Sequence, residues 1–494
     1  MRRRDFLQTS LAAAALWPAR TLIAADTAGI AEVSAKTLTG GAIALPGADV
    51  RDLAAGMRGQ VLVSGQDGYD TARKIWNGMF DKRPAVIARC ASPSDVMRAV
   101  TFAREHQLLT AVRAGGHSLS GKSTCDGGIV IDMTLMQSVR VDPKARIARV
   151  EGGSLLQHLD RETKAFGLVT TAGTVSHTGA AGLTLGGGFG RVGRRFGLAC
   201  DNLSSVDIVT ADGRWVTASD TENPDLFWGL RGGGGNFGVA TSFEYHLHEM
   251  DPMILGGVIA WPAAQAREVL RFFAEFSSTA PDELNTDVTM VPGAAAGGPS
   301  LILMELCWSA DKAAGERAMQ PLRSFGRPLF DKIGTIPYIA MQSSGDANAA
   351  PGSRFYSKSG FFTGMTPQII DTIVAAFENA QPNPVFISMQ QGGGAVGRKP
   401  VGFSAFPNRQ AKYWAMIGAS WKDPARDEQG IATARAAWKR IEPLTSGFYV
   451  NAMTDDENAR VAANYGPNYP RLQQIKKKYD PENLFRLNAN VKPA

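Results

Sequence analysis

Val112-Arg113-Ala114-Gly115-Gly116-His117-Ser118 closes an apolar strand pattern, Thr110–Arg113, and sets a histidine at the tip of a glycine turn. A second glycine-rich stretch follows, Gly173-Thr-Val-Ser-His-Thr-Gly-Ala-Ala-Gly-Leu-Thr-Leu-Gly-Gly-Gly-Phe-Gly190. Consecutive glycines let backbone N–H groups converge on an anion without Cβ obstruction, which is how loops cradle phosphates. Two such loops in one chain point to a large dinucleotide ligand.

Around these loops, residues 84–250 alternate strand and helix patterns. Strands are expected at Ala85–Arg89, Thr110–Arg113, Gly128–Asp132, Ile147–Glu151 and Ser205–Thr210, and an amphipathic helix over Val96–His106 with Ser94 and Asp95 at its start. Asp212-Gly213-Arg214 reads as a hairpin turn. Gly188-Phe-Gly-Arg-Val-Gly193 matches G-x-G-x-x-G, with Asp212 beyond it, but a nicotinamide-binding unit needs an apolar strand before the motif and the residues here are Gly182-Leu-Thr-Leu-Gly-Gly187.

After Asp251-Pro252 helical patterns (Ala263–Phe276, Ala310–Phe325, Pro367–Gln381, Gln429–Ile441) alternate with strands at Leu301–Trp308, Val385–Gln390 and Tyr413–Trp421. This predicts an antiparallel sheet with helices on one face. A chain of 494 residues makes two domains the expectation, each with a sizeable core. The class is α+β: residues 1–28 a signal and tail, 45–252 a cofactor domain, 253–444 a substrate domain, and 445–494 a segment returning to the first.

The net charge is +6, but Arg2, Arg3, Arg4 and Arg20 supply four of the positive charges and Asp5 offsets one. Lys476-Lys477-Lys478 is the one later basic run; it reads as a solvated helix face, and no nucleic-acid partner is expected. The apolar stretch Leu11–Trp17 is too short to span a bilayer. Arg3-Arg4 before Asp5-Phe6-Leu7 resembles a twin-arginine signal, which carries folded proteins through the twin-arginine machinery, so a periplasmic or secreted location is expected. The alternative is a disordered basic tail, and Leu22-Ile-Ala-Ala25 is not a clean cleavage site. Cys90, Cys125, Cys200 and Cys307 match no metal or redox spacing; buried free thiols are expected, with a disulfide as the alternative in an exported chain. With six histidines and no paired His/Cys or His/Glu cluster, no metal site is expected.

Three separated motifs, Arg113–Ser118, Gly173–Gly190 and Asn464–Asn490, occur in an order that resembles the flavin-dependent oxidases related to berberine bridge enzyme and 6-hydroxy-D-nicotine oxidase, within the vanillyl-alcohol oxidase superfamily. The resemblance runs from about Arg83 to the C-terminus. It implies a PCMH-type FAD-binding domain, a substrate domain, and a berberine-bridge-like C-terminal segment. It also implies FAD held by Arg113, Ala114, Gly115, Gly116, His117 and Ser118 of the first loop and by Gly173, Thr174, Val175, Gly179, Gly182, Gly186, Gly187, Gly188 and Gly190 of the second. Further contacts fall to Gly238 and Val239, in a segment that packs beside the adenosine half in the family, and to Tyr465, Asn488 and Asn490. His117 matches the histidine joined covalently to the 8α-methyl of FAD; where some relatives carry a second, cysteine link this chain has Val175, so one bond is expected. The protein positions and tunes the cofactor, which does the redox work.

By the same resemblance the chain is an oxidase that passes hydride from a small alcohol, sugar, amine or phenolic substrate to FAD and reduces O2 to hydrogen peroxide. A dehydrogenase using another acceptor and a flavin-loaded binding protein without turnover stay open. Thr178 sits where a residue's bulk is thought to gate oxygen, and a threonine is small. His177 reads either as a polar wall of the site or as a solvated loop residue. Plant relatives carry a tyrosine base in Tyr-x-Asn-Tyr; here Tyr449-Val450-Asn451 is followed by Ala452. Replacements on the expected cavity wall are Tyr449, Asn451, Gln390, Tyr356 and Tyr413, each of which also reads as a packed structural residue.

Overall fold

The strand Val86–Arg89, the helix Pro93–Glu105 and the strand Thr110–Arg113 form a strand–helix–strand crossover, and Ile129–Asp132 pairs in parallel between the two strands. The computed structural model in which this is seen describes residues 29–293, 298–380, 384–455 and 458–494; the N-terminal signal pattern lies outside the described residues. Ile129–Asp132 is buried along its whole length, as a central parallel strand must be. The helix begins three residues before the apolar pattern because the Ser92 hydroxyl accepts from the Asp95 N–H and Pro93 supplies a preset first turn. Asp95 in turn accepts from the amides of Arg58, Gly59 and Ala91 at 2.8 to 2.9 Å, which fastens the antiparallel edge strand Gln60–Leu62. The histidine loop leaves the carboxyl end of Thr110–Arg113.

A second, five-stranded antiparallel sheet runs Trp215–Ser219, Leu203–Val209, Val239–His246, Ile147–Glu151, Val139–Asp142. The expected hairpin is present, with Val209 opposite Trp215 and Gly213 at φ +83°. The residues before Gly188 form the helix Ala180–Leu185 and not a strand, which is the context that excludes a nicotinamide motif.

The third sheet is large and antiparallel, in the order Phe330–Asp331, Met253–Pro262, Leu301–Trp308, Leu284–Val291, Phe386–Gln391, Tyr413–Trp421, Arg354–Phe362. Its even-numbered positions in Leu284–Val291 and Leu301–Trp308 (Val288, Met290, Ile302, Met304, Leu306) pack against the helices Ala266–Thr279, Lys312–Arg323, Pro367–Glu378 and Asp427–Ile441. Two of these begin later than the apolar patterns suggest: Ala263–Gln265 is a 3-10 turn, and Asp311 caps the next helix by accepting from the Ala314 N–H. The α+β class, with an antiparallel sheet flanked by helices, is thus what the chain adopts.

From Phe448 the chain packs into the core beneath the second sheet, through Val461, Tyr465, Leu472, Ile475 and Val491. Lys476 corrects the reading of its lysine run as a solvated face: it is fully buried, 2.5 Å from the equally buried Asp480. Its ammonium also donates to the carbonyls of Asn236 and Phe485, while Asp480 accepts from the amides of Leu484 and Phe485. Three consecutive helical residues point about 100° apart, so a helix packed on one side must turn one of three adjacent lysines inward. Lys477 and Lys478 stay exposed.

All four cysteines are buried and free. Burial raises every thiol above its ordinary range, Cys125 and Cys307 to about 12. No described helix is long and apolar enough to cross a membrane.

Candidate active site

A cavity of about 850 Å³ opens between the two glycine loops, the large sheet and the C-terminal segment. That is near the top of the range for small-molecule sites, roughly 300–1,000 Å³, so a large cofactor and a substrate both have room. The loops touch at Gly115 and Gly179: a Cβ on Gly115 would lie 2.5 Å from the Gly179 Cα, and one on Gly179 would lie 2.6 Å from the Gly115 nitrogen. Only glycine allows that crossing, and it forms a floor of bare backbone.

On that wall His117 stacks on Trp76, with ring centroids 4.3 Å apart and planes at 20°, and His177 lies 5.2 Å away on a tilted plane. Desolvation lowers the His117 imidazole to about 4, helped by His177. It is therefore a neutral nucleophile at neutral pH, and its Nε2 is buried without a hydrogen-bond partner. Also on the cavity wall, the Asn488 side-chain amide donates to the carbonyls of Gly235 and Phe485, while its side-chain oxygen Oδ1 is buried without a partner. A glycine-floored cavity with unpartnered polar groups fits FAD: Ala114 to Ser118, Gly173 to Val175, Gly179, Gly182, Gly238 and Asn488 line it and would hold the cofactor.

The opposite wall is the other face of the large sheet, odd-numbered positions of Leu284–Val291 and Leu301–Trp308 with even-numbered positions of Phe386–Gln391 and Tyr413–Trp421. Glu305, Asp287, Gln390 and Trp414 stand in one row across four strands, and Leu303, Thr289, Ser388 and Met416 in the next. Arg191 bonds Glu305 at 2.8 Å. Burial pushes the Asp287 carboxyl up to about 6, against the pull of Arg191 and with help from Glu305. Trp414 donates its indole N–H to the Gln390 oxygen at 2.8 Å and packs its ring 5.2 Å from that of Tyr449. The Tyr449 hydroxyl accepts from the Gly188 N–H at 3.2 Å and the Asn451 amide at 2.9 Å, yet burial raises it to about 12. At neutral pH this phenol keeps its proton and can only donate it as a hydrogen bond.

Gln390, Tyr449, Asn451 and Thr178 all line the cavity. Tyr356 and Tyr413 do not: Tyr356 donates to Asp455 beside Arg435, and Tyr413 pairs with Ser277 at 2.5 Å. Gly186, Gly187, Gly188 and Gly190 also fall behind the wall. The chain turns there so that Asn451 packs on Gly186 and Tyr449 bonds Gly188, which makes this run a seat for those side chains. Arg113 turns its guanidinium onto the Ala72 carbonyl, Val239 lies in the core under the first sheet, Tyr465 is fully buried, and Asn490 is off the wall. Sequence reading missed Trp76, Arg191, Asp287, Glu305 and Trp414. For Glu305 a signal existed, a lone charge in Leu-Ile-Leu-Met-Glu-Leu-Cys-Trp308. Among the described residues no cluster of three His, Cys, Asp or Glu side chains could hold a metal.

Residues 84–219 match an FAD binding domain family model, and residues 448–492 match the family described as berberine and berberine like. The chain is 34% identical over 462 residues to (R)-6-hydroxynicotine oxidase of Paenarthrobacter nicotinovorans, covering 88% of this chain and 97% of that one. It is 33% identical over 453 residues to an FAD-linked oxidoreductase of Dictyostelium discoideum, covering 90% and 97%. Among solved structures, 6-hydroxy-D-nicotine oxidase from Arthrobacter nicotinovorans superposes with a TM-score of 0.80 at 29% identity, over 89% of this chain and 98% of that one. A xylooligosaccharide oxidase from Myceliophthora thermophila in complex with xylobiose gives 0.81 at 26%, over 90% and 99%. Identity sustained over nearly the full length of these proteins, on top of a cavity that fits the cofactor, makes the chain a member of the berberine-bridge-type family of FAD-linked oxidoreductases, and an FAD-dependent enzyme.

Proposed function

We propose that this protein is an exported oxidase, carrying FAD on His117 alone, that acts on a small substrate whose reacting carbon bears a hydroxyl or amine. The observation that carries the reading is the desolvated, neutral His117 on the cavity wall. Val175 on the facing loop offers no nucleophile for a second bond. Bound FAD supplies a two-electron acceptor for the substrate C–H bond, one that O2 can reoxidise with release of hydrogen peroxide. The chain's own task is to hold that C–H bond in near-contact geometry and to take the O–H or N–H proton. Asp287 is the acceptor: of the groups in its row, Glu305 is already paired with Arg191 at 2.8 Å, Gln390 cannot ionise, and Tyr449 beyond Trp414 stays protonated. Thr289, Ser388 and Gln390 offer hydrogen bonds to a hydroxylated or aminated substrate.

Tryptic peptide mapping tests the cofactor: acid-precipitated protein is expected to stay yellow, with flavin on the His117 peptide and on no cysteine. Anaerobic mixing with a panel of alcohols, sugars, amines and phenols, followed by air, tests the activity. Fast reoxidation supports an oxidase, slow reoxidation a dehydrogenase, and no reduction by any compound a binding protein.

Thr178 lines the cavity, with its backbone fixed by the Leu156 N–H at 2.9 Å. Thr178→Leu is expected to slow flavin reoxidation by oxygen about tenfold, some 1.4 kcal/mol of added barrier, and to slow reduction by substrate far less. Stopped-flow traces of both half-reactions decide it; equal slowing would make Thr178 a substrate-cavity residue. Export rests on the Arg3-Arg4 pattern and on the need to fold around FAD before crossing a membrane. Arg3→Lys with Arg4→Lys is expected to leave the yellow holoprotein in the cytoplasm, and undiminished exported activity would overturn that reading.

A further inference from the structure

Trp76, Asn77 and Gly78 form a clip between the histidine loop and the far side of the cavity. The Trp76 N–H donates to the Gly116 carbonyl at 2.9 Å, and the Asn77 amide donates to the carbonyls of Leu119 and Phe355, both at 2.8 Å. Across the gap, the Trp76 indole N–H donates to the Ala349 carbonyl at 2.6 Å, the Gly352 N–H donates to the Trp76 carbonyl at 2.9 Å, and the Gly78 N–H donates to the Ser353 carbonyl at 3.0 Å. The indole is 7% exposed and packs edge-on to Phe355 at 5.4 Å. The same segment fastens the second loop: Asp346 accepts from the Ser176 N–H at 2.9 Å and hydroxyl at 2.6 Å, next to His177. One strap from the large-sheet half, Gly345–Gly352, thus bonds the Trp76 indole directly and fastens Ser176, the neighbour of His177.

We propose that Trp76 is the positioning residue for covalent attachment of FAD at His117, and that the strap through Ala349 and Asp346 holds it there, so that the bond forms only after the two halves of the chain have closed on each other. This rests on the covalent link proposed above. The attacking imidazole must be neutral, dry and held at one orientation; a ring clamped between an indole and a second imidazole meets all three conditions, and fixed orientation is a large part of the rate of an intramolecular reaction. An aromatic face also contributes stacking attraction that an aliphatic side chain lacks.

The step balances as follows in atoms and electrons. A bond forms between the imidazole nitrogen and the 8α-carbon, while one methyl C–H bond and the imidazole N–H bond break. The two electrons and two protons released reduce the flavin ring, and O2 reoxidises it, leaving as hydrogen peroxide. Nothing beyond the cofactor and the oxidant of the proposed reaction is needed.

The test compares wild type, Trp76→Leu, Trp76→Phe and Asp346→Asn as full-length proteins, produced under riboflavin limitation and then given FAD in air. Samples taken over time are acid-precipitated; flavin is counted in pellet and supernatant, and the His117 peptide is weighed. Total FAD bound to the native protein serves as the folding control. Trp76→Leu is expected to bind FAD but to attach it at least tenfold more slowly, Trp76→Phe to recover most of the rate, and Asp346→Asn to fall in between. Attachment at wild-type rate in both Trp76→Leu and Asp346→Asn overturns the proposal while leaving the covalent link intact. Should Trp76→Leu fail to fold, Asp346→Asn decides alone, a wild-type rate there overturning the proposal. Flavin released wholly into the supernatant from wild type instead overturns the covalent link itself.

Discussion

Asp287→Asn is expected to slow reduction of the flavin by substrate by about 10²–10⁴-fold, the usual contribution of a positioned general base, while leaving the covalent flavin and its reoxidation by oxygen in place. In the wild type the rate is expected to rise with pH through about 6, where the Asp287 carboxyl loses its proton and becomes able to take another. Stability runs the other way. The folded-state value lies above the ordinary 3.8, so the native protein binds this proton more tightly than the unfolded chain does. The stability gained from that proton is complete below about pH 4 and is lost as the pH rises through about 6. Above that, the buried carboxylate costs on the order of 3 kcal/mol, from about two pK units at 1.36 kcal/mol each. Asparagine cannot ionise, so the slow variant is expected to melt higher than wild type near about pH 8 and at the same temperature near about pH 4. Stopped-flow reduction and thermal melts at both pH values measure the two effects. A variant with an unchanged reduction rate would assign the proton to another group.

Lys476→Met is expected to destabilise the fold by about 3–5 kcal/mol, because it leaves the Asp480 carboxylate buried without its cation. The loss falls on the closing segment: Lys476 and Asp480 together hold the backbone of Asn236, Leu484 and Phe485, and Phe485, Leu487 and Asn488 line the cavity just beyond. The double variant Lys476→Met with Asp480→Asn is expected to recover part of the stability, since both charges are then gone. Denaturant unfolding followed by tryptophan fluorescence is the measurement. A single variant as stable as wild type would mean that solvent reaches Asp480.

These two residues also mark the limit of what the sequence discloses. The His117 loop was legible because a glycine turn, an apolar strand and a histidine are local signals, and the structure sets that loop on the cavity wall. Glu305 was legible in principle as a lone charge in an apolar strand. Asp287 was not: it ends the polar run Asn285-Thr286-Asp287, which reads as a solvated segment, and only the long-range pairing with Leu301–Trp308 and Phe386–Gln391 shows that this strand lines a cavity. Trp76 carries no local signal, because its role depends on residues more than 270 positions away. The run Gly186-Gly-Gly188 shows a different ambiguity: its glycines admit Asn451 and Tyr449 from the distant C-terminal segment, a use of glycine that a single sequence does not distinguish from a phosphate cradle.

If the protein is the oxidase proposed above, the hydrogen peroxide it releases makes it its own nearest target, and sulfur is where such damage starts. Peroxide attacks the thiolate and scarcely the thiol. With burial raising Cys125 and Cys307 to about 12, these sulfurs stay as thiols at neutral pH. Cys90 and Cys200 are likewise sealed and raised. The same burial that makes these side chains part of the core therefore makes them poor fuel for oxidation by any peroxide formed in the cavity.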